Sequence, residues 1–190
     1  MLRIPGTRLR ITLVLPLAAV ALAAASARAE APEPTVQERA EAYLGAIDRP
    51  VPATAWQALG PDAVPFLEEV LRTDAITSRR AAAASGLAAI GGDRAAQALL
   101  EAAQGESERW SVRSTAMRGL GKVLAPDRLP GALRPILEGT GAVAVRALAA
   151  EVLSRETPAV SCSAIRAQVA REPTADRAAF SKATTRCRGQ

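Results

Sequence analysis

The stretch VRSTAMRGLG, residues 112–121, recurs in altered form on either side. Residues 79–88 are RRAAAASGLA, and residues 145–154 are VRALAAEVLS. Arginine, alanine and leucine keep the same spacing, at Arg80, Arg113 and Arg146, at Ala83, Ala116 and Ala149, and at Leu87, Leu120 and Leu153. A fixed period of about 33 residues falls within the range of about 20 to 50 residues that is typical of stacked repeats. The sequence therefore predicts an all-α protein, a helical solenoid that presents a binding surface.

Turn residues divide the repeat region, residues 60–155, into helix pairs at 60–91, 92–124 and 125–155. The first helix of each pair is expected to begin just after an aspartate, and the second near a residue type that caps helices. The aspartates are Asp62, Asp93 and Asp127, and the second set is Asp74, Ser107 and Thr140. Aspartate side chains accept hydrogen bonds from the free amides of a first helical turn, so the three aspartates are predicted N-caps.

Both ends of the repeat region have the features of terminal helices. Residues 35–59 form a predicted N-terminal cap, whose first helix begins with a Thr35–Glu38 capping box. Residues 156–190 form a predicted helical hairpin with its turn near Pro173. Cys162 and Cys187 lie almost equally far from that turn, so an antiparallel hairpin places them side by side. We expect a disulfide between them, closing a C-terminal cap.

Residues 1–29 have the layout of a secretory signal peptide. A basic segment precedes an apolar stretch from Ile11 to Ala25, and Ala27-Arg28-Ala29 is a small-x-small cleavage site. The alternative is an uncleaved anchor, but the apolar stretch is shorter than the roughly 20 residues that span a bilayer. Cleavage after Ala29 predicts a periplasmic or secreted protein, with residues 30–34 as a linker and no stable membrane span.

Charge gives little support for a nucleic-acid partner. Four of the 24 basic residues lie in residues 1–29, so the remainder has 20 basic and 19 acidic residues. Residues 155–190 hold seven basic and three acidic residues. This basic tail is either a solvated helix pair or a contact for an anionic envelope polymer or lipid, and the first is favoured.

The residues that most catalytic and metal sites need are missing. The chain has no histidine, which removes the commonest acid–base group and metal ligand. The two cysteines are too far apart along the chain for a zinc-ligand pair, and no glycine-rich phosphate loop is present. We expect no catalytic residues, no cofactor and no metal.

Three segments resemble the HEAT-like repeats that also occur in phycobilisome lyase-type proteins. They are LGPDAVPFL at 59–67, VRSTAMRGLG at 112–121 and VRALAA at 145–150, within a resemblance that covers about residues 53–155. The resemblance implies a right-handed α-solenoid of about three helix pairs, in an exported bacterial member. It also implies that an acid near the turn of a repeat pairs with the repeated arginine. Arg80, Arg113 and Arg146 match that arginine and are assigned to structure, but only Asp74 matches the acid.

In such stacks the second helices line a concave face that binds partners. The helical positions predict a small basic patch there, formed by Arg118, Lys122 and Arg155. Trp110 is either an interface anchor or a residue packed over a repeat junction, and packing is favoured. The leading hypothesis is a non-catalytic adaptor or scaffold for another protein of the cell envelope. The alternatives are a lyase-like accessory protein that handles a ligand or modifies a partner, and a binder of anionic polymer or lipid.

Overall fold

The computed structural model describes residues 33–46 and 49–189, and within these ranges it contains helices and turns but no strand. The all-α class is therefore confirmed. The predicted signal peptide, residues 1–29, lies outside the described residues, as does Ile47, where the first helix was expected to end. Among the described residues, no helix combines the length and the apolar character that crossing a membrane requires.

Ten α-helices follow one another in the described part of the chain, in addition to short 3-10 turns at Pro61–Ala63 and Arg177–Phe180. Their bounds are α1 Val36–Leu44, α2 Ala53–Gln57, α3 Val64–Thr73, α4 Thr77–Ile90, α5 Asp93–Gln104, α6 Trp110–Val123, α7 Leu129–Glu138, α8 Val143–Glu156, α9 Pro158–Arg171 and α10 Ser181–Cys187.

The repeat is most regular in α4, α6 and α8. Each of these helices has 14 residues, and they begin at Thr77, Trp110 and Val143, which are equivalent positions of successive repeats. The first helices of the three pairs differ in length. Helix α5 has 12 residues, whereas α3 and α7 have ten. The repeat is therefore strict for the second helix of each pair and loose for the first.

The even-numbered helices pack side by side in the order α2, α4, α6, α8 and α10. In the other row, α3 contacts α5 and α7 contacts α9. Leucines and alanines at the repeated positions fill the space between the rows: Leu87 and Leu120 are fully buried, as are Ala83, Ala116 and Ala149. Because no pair could bury this apolar surface alone, the pairs stabilise one another.

Two glycines set the distance between neighbouring even-numbered helices. A Cβ atom on Gly86 would lie 2.8 Å from Cε3 of Trp56, in α2. A Cβ atom on Gly119, the equivalent position of the next repeat, would lie 2.9 Å from Cβ of Ala88, in α4. Both distances are too short for any other residue, so α2, α4 and α6 approach one another as closely as they do only because these positions are glycine.

The first helices begin differently from the prediction, because the three aspartates make no capping hydrogen bonds. Gly60 and Gly92 occupy N-cap positions, with φ angles of 72° and 90°. These left-handed conformations suit glycine, and they place Asp93 inside α5 as its first residue. The Thr35 capping box, by contrast, is present, with a Glu38 N to Thr35 Oγ1 distance of 3.2 Å.

The second helices also begin later than their predicted caps. The N-cap positions of α4, α6 and α8 are Ile76, Arg109 and Ala142, and none of them caps its helix with a side-chain hydrogen bond. Asp74 instead accepts a hydrogen bond from the Ile76 amide at 2.7 Å, within the turn that leads into α4. The polar residues of these turns therefore precede the helices and do not cap them.

The C-terminal hairpin forms with the predicted first helix, Pro158–Arg171, and a broken second one. The second segment is a 3-10 turn followed by α10, and the fully buried Phe180 ends the turn. The sulfur atoms of Cys162 and Cys187 lie at disulfide distance, with their Cα atoms 5.4 Å apart, so the predicted pairing is confirmed. Closing a loop of this size stabilises a fold by roughly 3–4 kcal/mol in the chain-entropy model.

Gly119→Ala tests the close approach of α4 and α6. The added methyl group would meet Cβ of Ala88, which cannot rotate away, so the substitution overpacks the contact. Overpacking costs about 1–3 kcal/mol, which exceeds the gain of about 0.5–1 kcal/mol in helix propensity. We expect a lower free energy of unfolding, measured by urea denaturation followed by circular dichroism.

Gly131→Ala is the matched control. Gly131 lies in α7, and a Cβ atom at this position would meet no other atom within 4 Å. This variant should gain about 0.5–1 kcal/mol of stability from helix propensity alone. Equal stability changes in the two variants would contradict the packing role of Gly119.

Candidate functional site

Arg80, in α4, connects two successive helix pairs. Its Nε donates to the carbonyl oxygen of Leu71 at 2.7 Å, near the end of α3. Its Nη2 forms an ion pair with Glu108, which precedes α6 in the next pair. The predicted partner was wrong: Asp74 instead binds Arg79 at 2.8 Å, and this bond is the main reason that the pKa of Asp74 is lowered.

Arg146, in α8, makes the same kind of link with the C-terminal hairpin. Its Nε and Nη2 donate to the two carboxylate oxygens of Glu172, at 2.7 and 2.6 Å, and Nη1 donates to the Gly141 carbonyl. Glu172 is 3% exposed and also accepts a hydrogen bond from Gln168 at 2.7 Å. Hydrogen bonding from Arg146 lowers the pKa of Glu172 below its ordinary value, against the opposing effect of burial.

Arg113, in α6, occupies the equivalent position between these two links but has no acidic partner among the described residues. The residue is only 9% exposed, and its Nε donates to the Ala103 carbonyl at 3.1 Å. The position equivalent to Glu108 in the next repeat is Gly141. The arginine is therefore retained at the junction between the second and third pairs, and the carboxylate is missing.

A small cavity lies in front of Arg113. Its volume is about 150 Å³, and Glu106, Ile136, Thr140 and Gly141 are among the residues that line it with Arg113. The corresponding cavity one repeat earlier has a volume of about 180 Å³ and is lined by both members of the Arg80–Glu108 pair. The two cavities occupy equivalent places in the repeat, and they differ in whether an acid faces the arginine.

The sequence did not reveal Glu108 and Glu172 as arginine partners. The predicted acid was sought in the same helix pair as its arginine, whereas the structure takes it from a later turn. Each of the two acids follows its arginine by somewhat less than one full repeat. A search for acids in the next turn would have found both.

The residues of the predicted basic patch differ in their surroundings. Arg118 and Lys122 are exposed on α6, one turn apart, and neither forms an ion pair with a described residue. Arg155 is exposed on α8, but its Nε lies 2.5 Å from Oε1 of Glu156. Trp110, at the start of α6, is 48% exposed.

Lys122 also lines an open groove of about 600 Å³ between α2, α4 and α6. The apolar part of this groove includes Trp56, Ala89, Ile90 and Val123. The lining as a whole is mixed, because Gln57, Ser85 and Lys122 contribute polar groups beside these apolar residues. Protein interfaces likewise combine apolar contacts with polar residues at their rim. Arg118, Lys122 and this groove are called the α6 surface below.

A larger groove lies elsewhere, between α7 and the start of α9. It has a volume of about 870 Å³, and its lining includes the four prolines Pro126, Pro130, Pro135 and Pro158. Val160, at its edge, is 59% exposed. The few charged groups in the lining are Asp127, Arg134, Glu138 and Glu156.

Glu172→Gln should reduce stability at neutral pH, because it leaves the largely buried Arg146 charge without a counter-ion. Breaking a buried ion pair costs about 3 kcal/mol. The folded-state pKa of Glu172 is lowered, so its stabilising contribution is present above the unfolded-state pKa and is lost as pH falls through the folded value. Urea unfolding at pH 7 and at successively lower pH should therefore show a smaller acid dependence in the variant.

Glu138→Gln provides the control for this experiment. Glu138 lies 3.6 Å from Arg134 in an exposed pair on α7, and pairs of this kind contribute less than about 0.5 kcal/mol. Loss of stability as large as that of Glu172→Gln would show that burial of the Arg146–Glu172 pair is unimportant.

In comparisons with known proteins, the chain matches no protein-family model, no curated protein and no solved structure at a significant level. The functional argument therefore rests on the geometry of the chain itself.

Proposed function

We propose that this protein is an exported, non-catalytic adaptor, a right-handed HEAT-like α-solenoid that holds another envelope protein. The observation that supports it best is the α6 surface. Lys122 and Arg118 lie one turn apart without acidic partners among the described residues, and Lys122 borders a groove of mixed lining whose apolar part includes Ile90 and Val123. A partner segment with acidic residues next to an apolar one would satisfy both parts of this surface.

The arrangement of helices supports the same proposal. The even-numbered helices lie side by side, and their repeated leucines and alanines are buried between the two rows. Stacked helix pairs of this kind present an extended surface to partners. The resemblance of residues 53–155 to HEAT-like repeats agrees with this arrangement, and it is the basis for proposing the right-handed solenoid.

Export is proposed from the N-terminal sequence and from the cysteines. The segment that ends at Ala29 has the layout of a cleaved signal peptide. The Cys162–Cys187 pair lies at disulfide distance, and disulfides persist mainly in oxidising compartments. The periplasm or the exterior of the cell is therefore the proposed location.

A second candidate function is handling of a small apolar ligand. The groove between α7 and α9, at about 870 Å³, falls within the range of small-molecule sites, roughly 300–1,000 Å³, and prolines form much of its lining. This observation favours the lyase-like or ligand-handling alternative. Native mass spectrometry of the protein purified from its own cell envelope tests it: a retained small molecule that a Val160→Glu variant no longer holds would support ligand handling.

Reversal of two charges tests the adaptor proposal. An Arg118→Glu, Lys122→Glu double variant would repel a partner with acidic residues while leaving the apolar residues of the groove unchanged. We expect crosslinked capture of one dominant envelope protein by the wild-type protein and at least about tenfold weaker capture by the variant. Affinity purification after mild crosslinking, quantified by mass spectrometry, measures both.

The matched control is an Arg186→Glu, Arg188→Glu double variant, which changes the net charge equally. Both arginines are exposed in the basic tail. Unchanged capture by this variant is expected for the adaptor. A different result would show that the adaptor proposal is wrong. In that case only the tail variant fails to bind envelope material, no protein partner is captured, and binding by the wild-type protein weakens as the salt concentration rises. The protein would then bind an anionic polymer or lipid.

A further inference from the structure

We propose that the Arg113 cavity binds a carboxylate side chain, a glutamate or aspartate supplied by the protein partner. This inference rests on the proposed adaptor function and names the chemical group that the partner inserts. The partner carboxylate would occupy the place that Glu108 takes in front of Arg80 and that Glu172 takes in front of Arg146.

The first argument is the state of the guanidinium. Arg113 is more than nine-tenths buried, and only its Nε has an acceptor, the Ala103 carbonyl, among the described residues. The Arg113 side chain lines the cavity. Each of its two terminal nitrogens, Nη1 and Nη2, carries two N–H donors. A carboxylate can accept from both in a bidentate arrangement, which is the strongest pairing that arginine makes with an anionic side chain.

The second argument is size. A volume of about 150 Å³ is about five times the roughly 30 Å³ that one water molecule occupies in the liquid. It is well below the roughly 300 Å³ at which sites for small organic ligands begin. The space suits a carboxyl group with one or two methylene groups, which is an acidic side chain.

The third argument is the packing of this junction. Between the first and second pairs α4 packs extensively against α6, but between the second and third pairs α6 packs much less extensively against α8. The ion pair that joins the second and third pairs is Arg128–Asp93, at 2.8 Å between exposed side chains, whereas the repeated arginine of this junction, Arg113, has no carboxylate partner among the described residues. Trp110, which is half-exposed, lies one helical turn before Arg113 on α6.

One acidic residue of the chain itself lies at the cavity. Glu106 is exposed and lines the wall, but it makes no ion pair with Arg113. Its charge should oppose an incoming carboxylate. Glu106→Gln is therefore expected to tighten binding of an acidic group by about twofold to threefold.

The binding test uses N-acetyl-glutamate N-methylamide, in which the side-chain carboxylate is the only charge, with the corresponding glutamine derivative as control. Arginine labelled with ¹⁵N reports on each Nε–H group, and Arg113→Lys assigns the Arg113 signal by its absence. We expect a saturable shift of that signal with a Kd on the order of 1–10 mM, because a single group makes the contact.

Absence of saturation, or an equal shift with the glutamine derivative, would overturn the proposal. So would binding that appears only in Glu106→Gln, since Glu106 would then fill the site itself.

Gly141→Glu tests the site without altering Arg113. Position 141 is equivalent to Glu108, its φ is not in the left-handed region, and a Cβ atom there meets nothing within 4 Å. A glutamate side chain should therefore reach Arg113 and fill the cavity from within the chain. We expect this variant to lose the probe-induced shift and to fold with an equilibrium constant roughly threefold or more above that of Gly141→Gln. Retention of probe binding in Gly141→Glu would overturn the assignment.

Capture of the partner distinguishes this inference from the adaptor proposal. If a partner carboxylate enters the cavity, Gly141→Glu should weaken crosslinked capture at least about tenfold relative to Gly141→Gln. Equal capture by the two variants, together with loss of capture in Arg118→Glu, Lys122→Glu, would leave the adaptor function standing and refute the partner carboxylate. If the probe binds but no partner protein is captured, the adaptor function is wrong. The proposal that a partner protein supplies the carboxylate is then wrong as well.

Discussion

Two of the three repeated arginines, Arg80 and Arg146, link their helix pair to the segment that follows it, and the way in which these neighbours meet depends on that link. The guanidinium of Arg80 binds both the end of α3 and the turn before α6. Arg146 binds the turn before α8 and the turn after α9. Each of these two arginines therefore joins a backbone carbonyl group to an acid from the neighbouring segment. The Leu71 carbonyl is one of those that the end of α3 would otherwise leave unsatisfied. Apolar burial supplies most of the energy, and these directional bonds fix the register in which neighbouring pairs stack.

Small residues complete this arrangement by letting the even-numbered helices approach closely. Gly86 lies against Trp56, Gly119 lies against Ala88, and a Cβ atom on Gly121 would lie 2.9 Å from Cγ1 of Val152. Close approach brings the turns of neighbouring pairs near enough for an arginine to reach the next turn. The small residues and the arginines are thus two parts of one constraint, and both recur with the period of the repeat.

The second helices could be predicted from the sequence because their repeat is strict. The predicted ends of the three helix pairs, at residues 91, 124 and 155, lie within one residue of the ends of α4, α6 and α8. The first helices were harder to predict, since α5 is longer than α3 and α7. Leu100 occupies the repeat position of Leu67 and Leu133, yet Leu99 rather than Leu100 is fully buried in α5. A strict period cannot reveal a shift of one residue.

The partners of the repeated arginines were less predictable than the fold. The sequence indicated which arginines repeat, but a partner for each depends on which turn lies in front of it in three dimensions. Asp74 was the nearest acid along the chain to Arg80, and it binds Arg79 instead. The sequence also did not predict the exposure of Trp110, because its helical position could face either a repeat junction or solvent.

The position of the missing acid has a consequence for the whole stack of helices. The junction between α6 and α8 has the sparser packing, and its repeated arginine has no carboxylate partner among the described residues. The Arg128–Asp93 pair between the second and third pairs is exposed and contributes little, so a smaller interaction free energy joins these pairs. Local opening concentrates where buried contacts are few. A partner group that pairs with Arg113 would strengthen this junction, because most of the arginine side chain is already held in place by burial and by its bond to the Ala103 carbonyl. Binding at this cavity would therefore couple recognition of the partner to the rigidity of the stack, through the same bond that Glu108 and Glu172 make elsewhere in the chain.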